Sequence, residues 1–414
     1  MQVSHIQKKI FNMAFLGELT KHDFNESFEE DYIKIKEEKN ALPKKEVIIT
    51  NKILPDEDLI ELPHGWKMIR LGNIAKVISK GTTPSGGQST YKKEGINYLR
   101  AEGVNTYIDQ NTFQYIDEKT HNNALKRSIL QSGDILVTIA GTLGKTGIVR
   151  DIDLPLNTNQ AVAFIRLVNK DLIMPEYIMY ALKSDFVQRQ FFDQKKDSAI
   201  PNLTLEIITN TLIAIPPLKE QQEICNIIRS INEKINMLEK HHNRLLLYKN
   251  MMVKKVINEA IYQNSDEYET DLLGNILVYE QPTKYIVSSE KYDDSYETPV
   301  LTAGKTFVLG YTNETEGIFN KLPVLIFDDF TTASKYVDFP FKVKSSAMKI
   351  LNCNSKMNIK FYYYLLQSLD YDASTHKRYW ISEFAPMTVP VPPKEEQDKI
   401  VEKIEQLLNL IDQI

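Results

Sequence analysis

Two stretches, "PPLKEQQEIC" at residues 216–225 and "PPKEEQDKIV" at residues 392–401, decide the fold because they write one pattern twice. Each follows an apolar run, "TLIAI" or "MTVPV", and each opens a long helical pattern. Proline is well suited to the first turn of a helix, where its missing N–H would have no partner in any case. The repeat predicts two similar halves, each of which ends in an apolar stretch that leads into a helix.

The segment 218–262 is the clearest helix of the sequence. Its apolar residues recur with a 4,3,4,3 spacing, which is the seam of a coiled coil interrupted only at His242 and Lys249. The second Pro-Pro is followed by the same spacing. The seam residues that we predict are Ile224, Ile228, Ile231, Ile235, Leu238, Leu245, Met252, Val256, Ile400, Ile404, Leu407 and Ile411.

The N-terminus supplies what the shorter second copy lacks. "KKIFNMAF" at 8–15 resembles "KKVINEAI" at 254–261, so the repeat is circularly permuted and helices from both termini partner the central helix. Between the helices, "RLGNIAKV" at 70–77 has a counterpart in "LLGNILVY" at 272–279. The predicted fold class is α+β, with two globular α/β domains separated by long antiparallel coiled-coil helices in a pseudo-two-fold repeat.

The predicted domains follow from these landmarks. They are an N-terminal helical segment and linker (1–62), a first domain (63–215), a central helix (216–264), a second domain (265–391) and a C-terminal helix (392–414). In the first domain the alternating apolar pattern predicts strands at 96–100, 134–140, 147–150 and 161–167. One helix is predicted over 174–192, with Pro175 in its first turn.

The composition is that of an ordinary globular protein, with 42% hydrophobic and 25% charged residues in 414. There is no apolar run of membrane-spanning length, and the two cysteines, Cys225 and Cys353, have neither metal-ligand nor paired spacing. We therefore expect a cytoplasmic protein. The net charge of −5 does not exclude nucleic acid, because residues 63–212 hold 18 Lys and Arg against 14 Asp and Glu.

Several motifs together resemble the DNA-specificity subunit of type I restriction–modification systems. They are "LPHGWKMIRLGNI", "GTTPSGG", "AGTLGKTGIV", the two Pro-Pro motifs, and "KKIFNMAFLGEL" followed by "IKIKEEK". The resemblance covers essentially the whole chain, although the second half lacks the "GWK" and "GTTPS" sequences of the first. It implies that each domain reads one half of a bipartite, asymmetric DNA site, while the coiled coil sets the spacer.

The same resemblance implies the partners. Two methyltransferase subunits would dock on the helices, together with translocating endonuclease subunits, and S-adenosylmethionine, ATP and magnesium would bind in those partners rather than in this chain. Two alternatives stay open: the recognition subunit of a related type II enzyme, and a coiled-coil interaction scaffold that binds no DNA.

Candidate DNA-binding residues come from polar and cationic loops, since short hydroxyls, amides and cations contact phosphates and base edges. In the first half they are Lys80, Thr82, Thr83, Ser85, Lys92, Lys93, Arg100, Thr142, Lys145, Thr146, Asn157, Asn159, Gln160, Lys195, Lys196 and Asn202. In the second half they are Thr302, Lys305, Tyr311, Asn313, Thr331, Thr332, Lys335, Lys377, Arg378 and Tyr379. Ordinary hairpins, turn formers and solvated charges are the alternative interpretation of these loops, and Trp66 and Trp380 suit packing.

The sequence offers no catalytic motif. "AGTLGKTG" has Ile139 where a phosphate-binding loop requires glycine. The Pro-Pro pairs follow Ile215 and Val391, so neither forms the Asn/Asp-Pro-Pro-aromatic motif of an adenine methyltransferase. Asp328 and Asp329 suit a cap or loop better than a metal-dependent nuclease. We expect a non-catalytic subunit with no metal of its own.

Overall fold

The computed structural model describes residues 3–21, 26–54, 60–86, 90–192, 203–262, 268–302, 306–369, 371 and 378–413. It contains two compact units, Met1–Met237 and Leu238–Ile414, called here the first and second unit. The helices are α1 (Val3–Phe15), α2 (Glu29–Asn40), α3 (Pro175–Ala181), α4 (Asp185–Phe192), α5 (Leu205–Asn210), α6 (Leu218–Tyr262), α7 (Leu273–Ile276), α8 (Ile359–Ser368) and α9 (Lys394–Asp412). In the part of the chain that is described, no helix is both long and apolar enough to cross a membrane.

Short strands form the sheets of both units. The first unit contains β1 (Lys67–Arg70), β2 (Ala75–Lys80), β3 (Ile96–Leu99), β4 (Gln114–Ile116), β5 (Ile135–Thr138), β6 (Thr146–Ile148), β7 (Leu156–Thr158), β8 (Val162–Leu167) and β9 (Leu212–Ile215). The second unit contains β10 (Glu269–Leu272), β11 (Leu277–Glu280), β12 (Thr298–Leu301), β13 (Val308–Thr312), β14 (Val324–Asp328), β15 (Ser334–Val337), β16 (Lys342–Val343), β17 (Met348–Cys353) and β18 (Thr388–Val391). This mixture of helices and small sheets is the α+β class predicted from the sequence.

The sheets of the two units have the same strand order. The first unit has sheets β1-β9, β2-β8-β5-β6 and β4-β3-β7, and the second has β10-β18, β11-β17-β14-β15 and β13-β12-β16. Each three-stranded sheet contains one parallel pair, β3 with β7 and β12 with β16. The predicted internal repeat is therefore confirmed strand by strand.

The four-stranded sheet is the middle layer of each unit. In the first unit one face of this sheet, with Val137 and Ile165, packs on α3, and the other face, with Leu136 and Phe164, packs on the three-stranded sheet. In the second unit the helix-facing side packs on α8, and Ile326 lies on the opposite side. Burial on both faces explains why β5 and β14 are continuously apolar instead of alternating.

A buried glutamine begins each long helix and explains the repeated motif. Gln221 donates from Nε2 to the carbonyl of Pro216 (2.9 Å) and accepts at Oε1 from the amide of Met174 (2.9 Å), just before α3. Gln397 likewise donates to the carbonyl of Pro392 (2.7 Å) and accepts from the amide of Asn358 (2.8 Å), just before α8. Both glutamines are fully buried. Each one joins the start of the long helix to the start of the domain helix.

The first unit has an additional tie at the same place. The indole Nε1 of Trp66 donates to Glu220 Oε2 (2.9 Å), and the hydroxyl of Thr20 donates to Glu220 Oε1 (2.5 Å). Trp66 is buried, as its packing role predicts, and its hydrogen bond fastens the strand that opens the domain to the helix that leaves it.

The terminal helices lie against α6 as the circular permutation predicts. In the first unit Thr20 contacts Glu220 while Gln7 donates to Asn232 (3.2 Å), so α1 runs antiparallel to the start of α6. In the second unit β10 pairs with β18, which brings the end of α6 and the start of α9 together. An ion pair between Lys249 and Asp412 then joins the two helices further along.

One predicted seam residue is misplaced. Leu238 is 67% exposed, because α9 ends at the level of Lys249, three turns further along α6. The predicted seam residues that are buried are Ile224, Ile228, Ile235, Val256, Ile400 and Ile404, and those that are half-buried are Ile231, Leu245, Met252, Leu407 and Ile411.

The predicted helix over 174–192 is two helices. Ser184 interrupts it: its hydroxyl donates to the carbonyl of Ala181 (2.8 Å) and accepts from the amide of Val187 (3.4 Å). A serine that bonds to the backbone in this way begins a new helix rather than continuing the old one. At the N-terminus, Gly17 follows the end of α1 with φ of 75°, as expected of a helix-terminating glycine.

Equivalent ion pairs with exchanged charges join each domain helix to its long helix. In the first unit Glu176, two residues after Met174, pairs with Arg229, eight residues after Gln221 (3.1 Å). At the same offsets in the second unit, Lys360 pairs with Glu405 (2.6 Å). The acid and the base have therefore changed places between two otherwise matching contacts.

The buried glutamines generate the first prediction. Gln221→Ala leaves the amide of Met174 and the carbonyl of Pro216 buried without these bonds, so it should destabilise the first unit by about 2–4 kcal/mol. Hydrogen-exchange mass spectrometry should show faster exchange in peptides from 174–182 but not from 359–368. Gln397→Ala should give the reverse pattern. The exposed neighbour substitution Gln222→Ala is the control, and equal effects of Gln221→Ala and Gln222→Ala would contradict the assignment.

Candidate nucleic-acid interface

In the first unit four loops meet at one end of the four-stranded sheet. Backbone bonds join them: Gly81 N–H to the Val162 carbonyl (2.9 Å), Thr82 N–H to the Thr158 carbonyl (3.0 Å) and Ile139 N–H to the carbonyl of Ala161 (2.8 Å). The amide of Asn159 donates in addition to the carbonyl of Leu99. These loops bring together eight predicted residues, called here the first loop surface: Lys80, Thr82, Thr83, Arg100, Thr142, Lys145, Asn159 and Gln160.

The 139–145 turn of this surface is rigid. The hydroxyl of Thr138 donates to the carbonyl of Thr142 (2.5 Å) and accepts from the amide of Lys145 (3.0 Å). Gly141 and Gly144 both have φ of 76°, which glycine adopts without strain. The side chains of Thr142 and Lys145 are exposed at the tip. The turn therefore presents a hydroxyl and a cation on a fixed backbone.

Two predicted contact residues of the first half are interior. Thr146 is buried and donates to the carbonyl of Met179 (3.2 Å). Asn157 is fully buried; its Nδ2 donates to the carbonyl of Leu125 (3.1 Å) and lies 3.3 Å from Nδ1 of His121. Both side chains are buried and hydrogen-bonded within the domain, so neither is placed to contact DNA.

The remaining first-half candidates lie elsewhere. Lys92 and Lys93 are exposed beside β4, where the amide of Lys92 bonds to the carbonyl of Tyr115 (2.8 Å), and Ser85 is exposed in the loop after β2. Lys195, Lys196 and Asn202 lie outside the described residues.

A cationic cleft of about 740 Å³ adjoins the 139–145 turn. It is lined by Lys145, Lys183 and Arg189, and by Asp185, which is already paired with Lys8 (2.8 Å). Lys183 donates to the hydroxyl of Thr106 and lies over the rings of Phe11 (5.4 Å) and Tyr180 (6.0 Å). Burial lowers the pKa of Lys183 to about 8. An anion such as a phosphate would favour its charged form.

Sequence reasoning missed Lys183 and Arg189 because both fall within the predicted helix 174–192. The available signal was a lysine embedded in the apolar run "YIMYALKSDF". A lysine in such a position is partly buried despite the cost of desolvating its charge, and this makes it a candidate functional residue.

Lys183→Met tests the cleft. Because the charged form is disfavoured in the folded state, the variant should be more stable than wild type at pH 7. This advantage should shrink between pH 8 and 10.5, where the unfolded chain binds more protons than the folded one, so that wild-type stability rises with pH. Urea unfolding at pH 7 and pH 10 measures this.

The same variant should weaken duplex binding by the assembled complex about tenfold through the loss of one charge-assisted contact. Lys119→Met, an exposed lysine of the same unit, is the control. Unchanged affinity for Lys183→Met would exclude the cleft from the interface.

The second unit repeats the arrangement of loops. The Lys344 amide donates to the carbonyl of Leu301 (2.9 Å), as Asn159 does to Leu99, and the Asp329 amide donates to the carbonyl of Ala347 (3.3 Å), as Ile139 does to Ala161. A further bond from the Tyr379 amide to the carbonyl of Asp329 adds the segment 378–380. The second loop surface, as we call it, consists of Thr302, Thr331, Thr332, Lys335, Lys344 and Arg378.

Lys344 of this surface was missed by sequence reasoning. It lies in "VKSSAM", where neither glycine nor an aromatic residue marks the loop, and it pairs with Glu290 (2.5 Å). That contact raises the pKa of the Lys344 ammonium.

The other second-half candidates are distributed differently. Tyr379 is fully buried with its ring against Tyr371 (5.2 Å), so its predicted contact with DNA is incompatible with its position. Trp380 is a core residue. Tyr311 is half-buried on β13, with Asn313 exposed just after it. Lys305 and Lys377 lie outside the described residues.

The two adjacent carboxylates at the end of β14 have structural partners. Asp328 Oδ1 accepts from the amides of Phe330 (2.9 Å) and Thr331 (3.3 Å) and so caps the turn, the role favoured from the sequence. Asp329 Oδ1 accepts from the amide of Trp380 (2.8 Å), and its Oδ2 lies 3.5 Å from Nζ of Lys349 in a buried ion pair. Asp328 therefore acts as a cap, and Asp329 joins the turn to segment 378–380 and to Lys349.

Comparison with known proteins gives the class. The family model described as the type I restriction modification DNA specificity domain matches residues 63–247 and 266–414, which is most of the chain. The chain belongs to this family.

Curated relatives are named as specificity subunits of type I restriction enzymes. The chain is 49% identical over 146 residues to the EcoR124I/EcoR124II specificity subunit of Escherichia coli, which covers 34% of this chain and 36% of that protein. It is 29% identical over 215 residues to the E. coli EcoBI specificity subunit (51% and 44%) and 24% identical over 405 residues to the MjaVIII specificity subunit of Methanocaldococcus jannaschii (85% and 88%). The chain thus spans less than half the length of the two E. coli relatives.

A solved structure, the HsdS subunit from Thermoanaerobacter tengcongensis, is 18% identical, with a TM-score of 0.42, over 86% of this chain and 93% of that one. The S subunit from M. genitalium is 14% identical, with a TM-score of 0.44, over 88% and 94%.

Proposed function

We propose that this chain is the DNA-recognition subunit of a type I restriction–modification complex, in which each unit reads one half of a bipartite, asymmetric site. The observation that carries the proposal is the repetition of one loop surface in two units of identical strand order. Two readers with the same scaffold and different loop side chains suit a site with two different halves. Family membership supports the same conclusion.

Phosphate and base contacts would be divided between different side chains. In the first loop surface Lys80, Arg100 and Lys145 suit the phosphate backbone, whereas Asn159 and Gln160 carry amides suited to base edges. Each cation that neutralises a phosphate releases counterions, so affinity should fall steeply as salt rises.

The long helices would set the spacer and dock partner subunits. Six large apolar side chains of α6 are exposed: Met237, Leu238, Leu246, Leu247, Tyr248 and Met251. Exposed apolar residues in this number suit helices of a partner. The partners that we propose are two methyltransferase subunits and, in a restricting complex, translocating endonuclease subunits.

The chemistry would reside in those partners. S-adenosylmethionine, ATP and magnesium would bind there, and this chain would be non-catalytic and, like the DNA it reads, cytoplasmic. A related type II assembly would use the same subunit in the same way.

The exposed side chains of α6 also suit the alternative, a coiled-coil scaffold that binds protein alone. Co-expression with the methyltransferase subunit of the same operon, followed by single-molecule mapping of modified adenines, separates the two. The proposed function predicts a split motif, two short blocks separated by an unread spacer of fixed length. A stable complex that modifies no split motif would favour the scaffold.

The spacer depends on helix length under this proposal. Inserting four residues between His242 and Leu247 lengthens α6 by about 6 Å, roughly the rise of two base pairs. Both half-sites should remain readable, while the permitted spacer changes. Methylation assays on a series of spacer lengths measure this, with Asn243→Ala as a control of unchanged length. An identical spacer optimum for the insertion variant would refute the role of α6 as a ruler.

A further inference from the structure

The turn between β14 and β15 contains strained backbone. Thr332 has φ of 60°, and no other non-glycine residue in the described part of the chain has a positive φ. A β-branched side chain is strongly disfavoured in this region, which glycine or asparagine usually occupies. Strain of this kind persists where surrounding contacts force it and is concentrated at functional sites.

Hydrogen bonds and an ion pair hold the turn in this conformation. The side chain of Asp328 caps the turn. Its backbone amide donates to the carbonyl of Ala333 (2.8 Å), and its carbonyl accepts from the amide of Thr332 (2.9 Å). Asp329 is fixed on both sides by the amide of Trp380 and by Lys349. The turn is therefore a rigid platform.

What the platform presents is an aromatic ring. Phe330, in the turn, is 41% exposed, whereas Phe327, three residues earlier on β14, is fully buried in the core. Phe330 belongs to none of the hydrophobic clusters of the second unit. The strained turn thus leaves a large apolar side chain partly exposed to solvent.

The surroundings of Phe330 indicate its ligand. Thr331 is exposed beside it, the exposed cation Lys335 follows on β15, and Arg378 is attached through the bonds of segment 378–380 to Asp329. In the first unit the equivalent turn carries Thr142 and Lys145. Cations suit phosphates, and phenylalanine suits the apolar edge of a base pair, the 5-methyl group of thymine in the major groove.

We propose that Phe330 is a specificity-determining residue of the second unit, which contacts a thymine methyl in the half-site that this unit reads. The proposal rests on the function proposed above. The hydrogen bonds of Asp328 hold the backbone that carries Phe330 in the free protein, so that the contact needs no ordering of the turn on binding.

The test uses the complex assembled with its methyltransferase subunits. Phe330→Ala should relax one base pair of one half-site, lowering discrimination there about tenfold, and should leave the other half-site unchanged. Replacing that thymine by uracil should weaken wild-type binding by a similar factor and leave Phe330→Ala unaffected. Phe330→Leu, which keeps an apolar side chain, should retain most of the discrimination.

Val278→Ala removes another exposed apolar side chain of the second unit (62% exposed) and is the control, expected to leave both half-sites unchanged. If the wild-type complex reads a split site and the Phe330→Ala variant has the same specificity, the role of Phe330 is overturned while the proposed function stands. A wild-type complex that reads no split site would overturn the proposed function itself.

Discussion

A buried side-chain amide, hydrogen-bonded through both its nitrogen and its oxygen, joins each globular domain to its long helix. Gln221 and Gln397 each use one amide group to hold the prolyl carbonyl before the long helix and the backbone amide of the residue just before the domain helix. Proline contributes no N–H at this point, so the glutamine supplies the local hydrogen bonding. Since an unpaired polar group at a buried site costs free energy, these bonds favour the observed direction in which the chain leaves the domain. The strand pairs β1-β9 and β10-β18 hold the same junction from the other side.

The features that could be predicted from the sequence are those written in local pattern. The long helix, the repeat and the permutation all follow from spacing along the chain, and α6 begins and ends at the residues expected. Leu238 was misassigned because the spacing of a seam does not reveal where its partner helix stops. The break at Ser184 was missed because the apolar periodicity of 174–192 continues through it. The hydrogen bonds of the Ser184 hydroxyl, which end one helix and begin the next, leave no mark on that periodicity.

The candidate site was only partly predictable, since exposure depends on partners distant in sequence. Asn157 stands in a polar stretch that suggests a surface loop, yet His121 and Leu125, more than thirty residues earlier, enclose its amide. Tyr379 is part of the most basic cluster of the second half but turns inward against Tyr371. Conversely, Lys183 and Lys344 reach their surfaces only because the tertiary structure brings the α3–α4 connection to the 139–145 turn and the end of β16 to the end of β12. The residue types predicted the chemistry of the loops, and the tertiary structure determines which of these side chains are exposed at the loop surfaces.

The exchanged ion pairs bear on how such genes can recombine. A crossover that grafted the first domain onto α9 would place Glu176 against Glu405, and the reciprocal graft would place Lys360 against Arg229; both meetings are repulsive. A crossover that carried a domain together with its own helix would keep the opposite charges matched. The charge at each junction thus matches a domain helix to its own long helix and not to that of the other half.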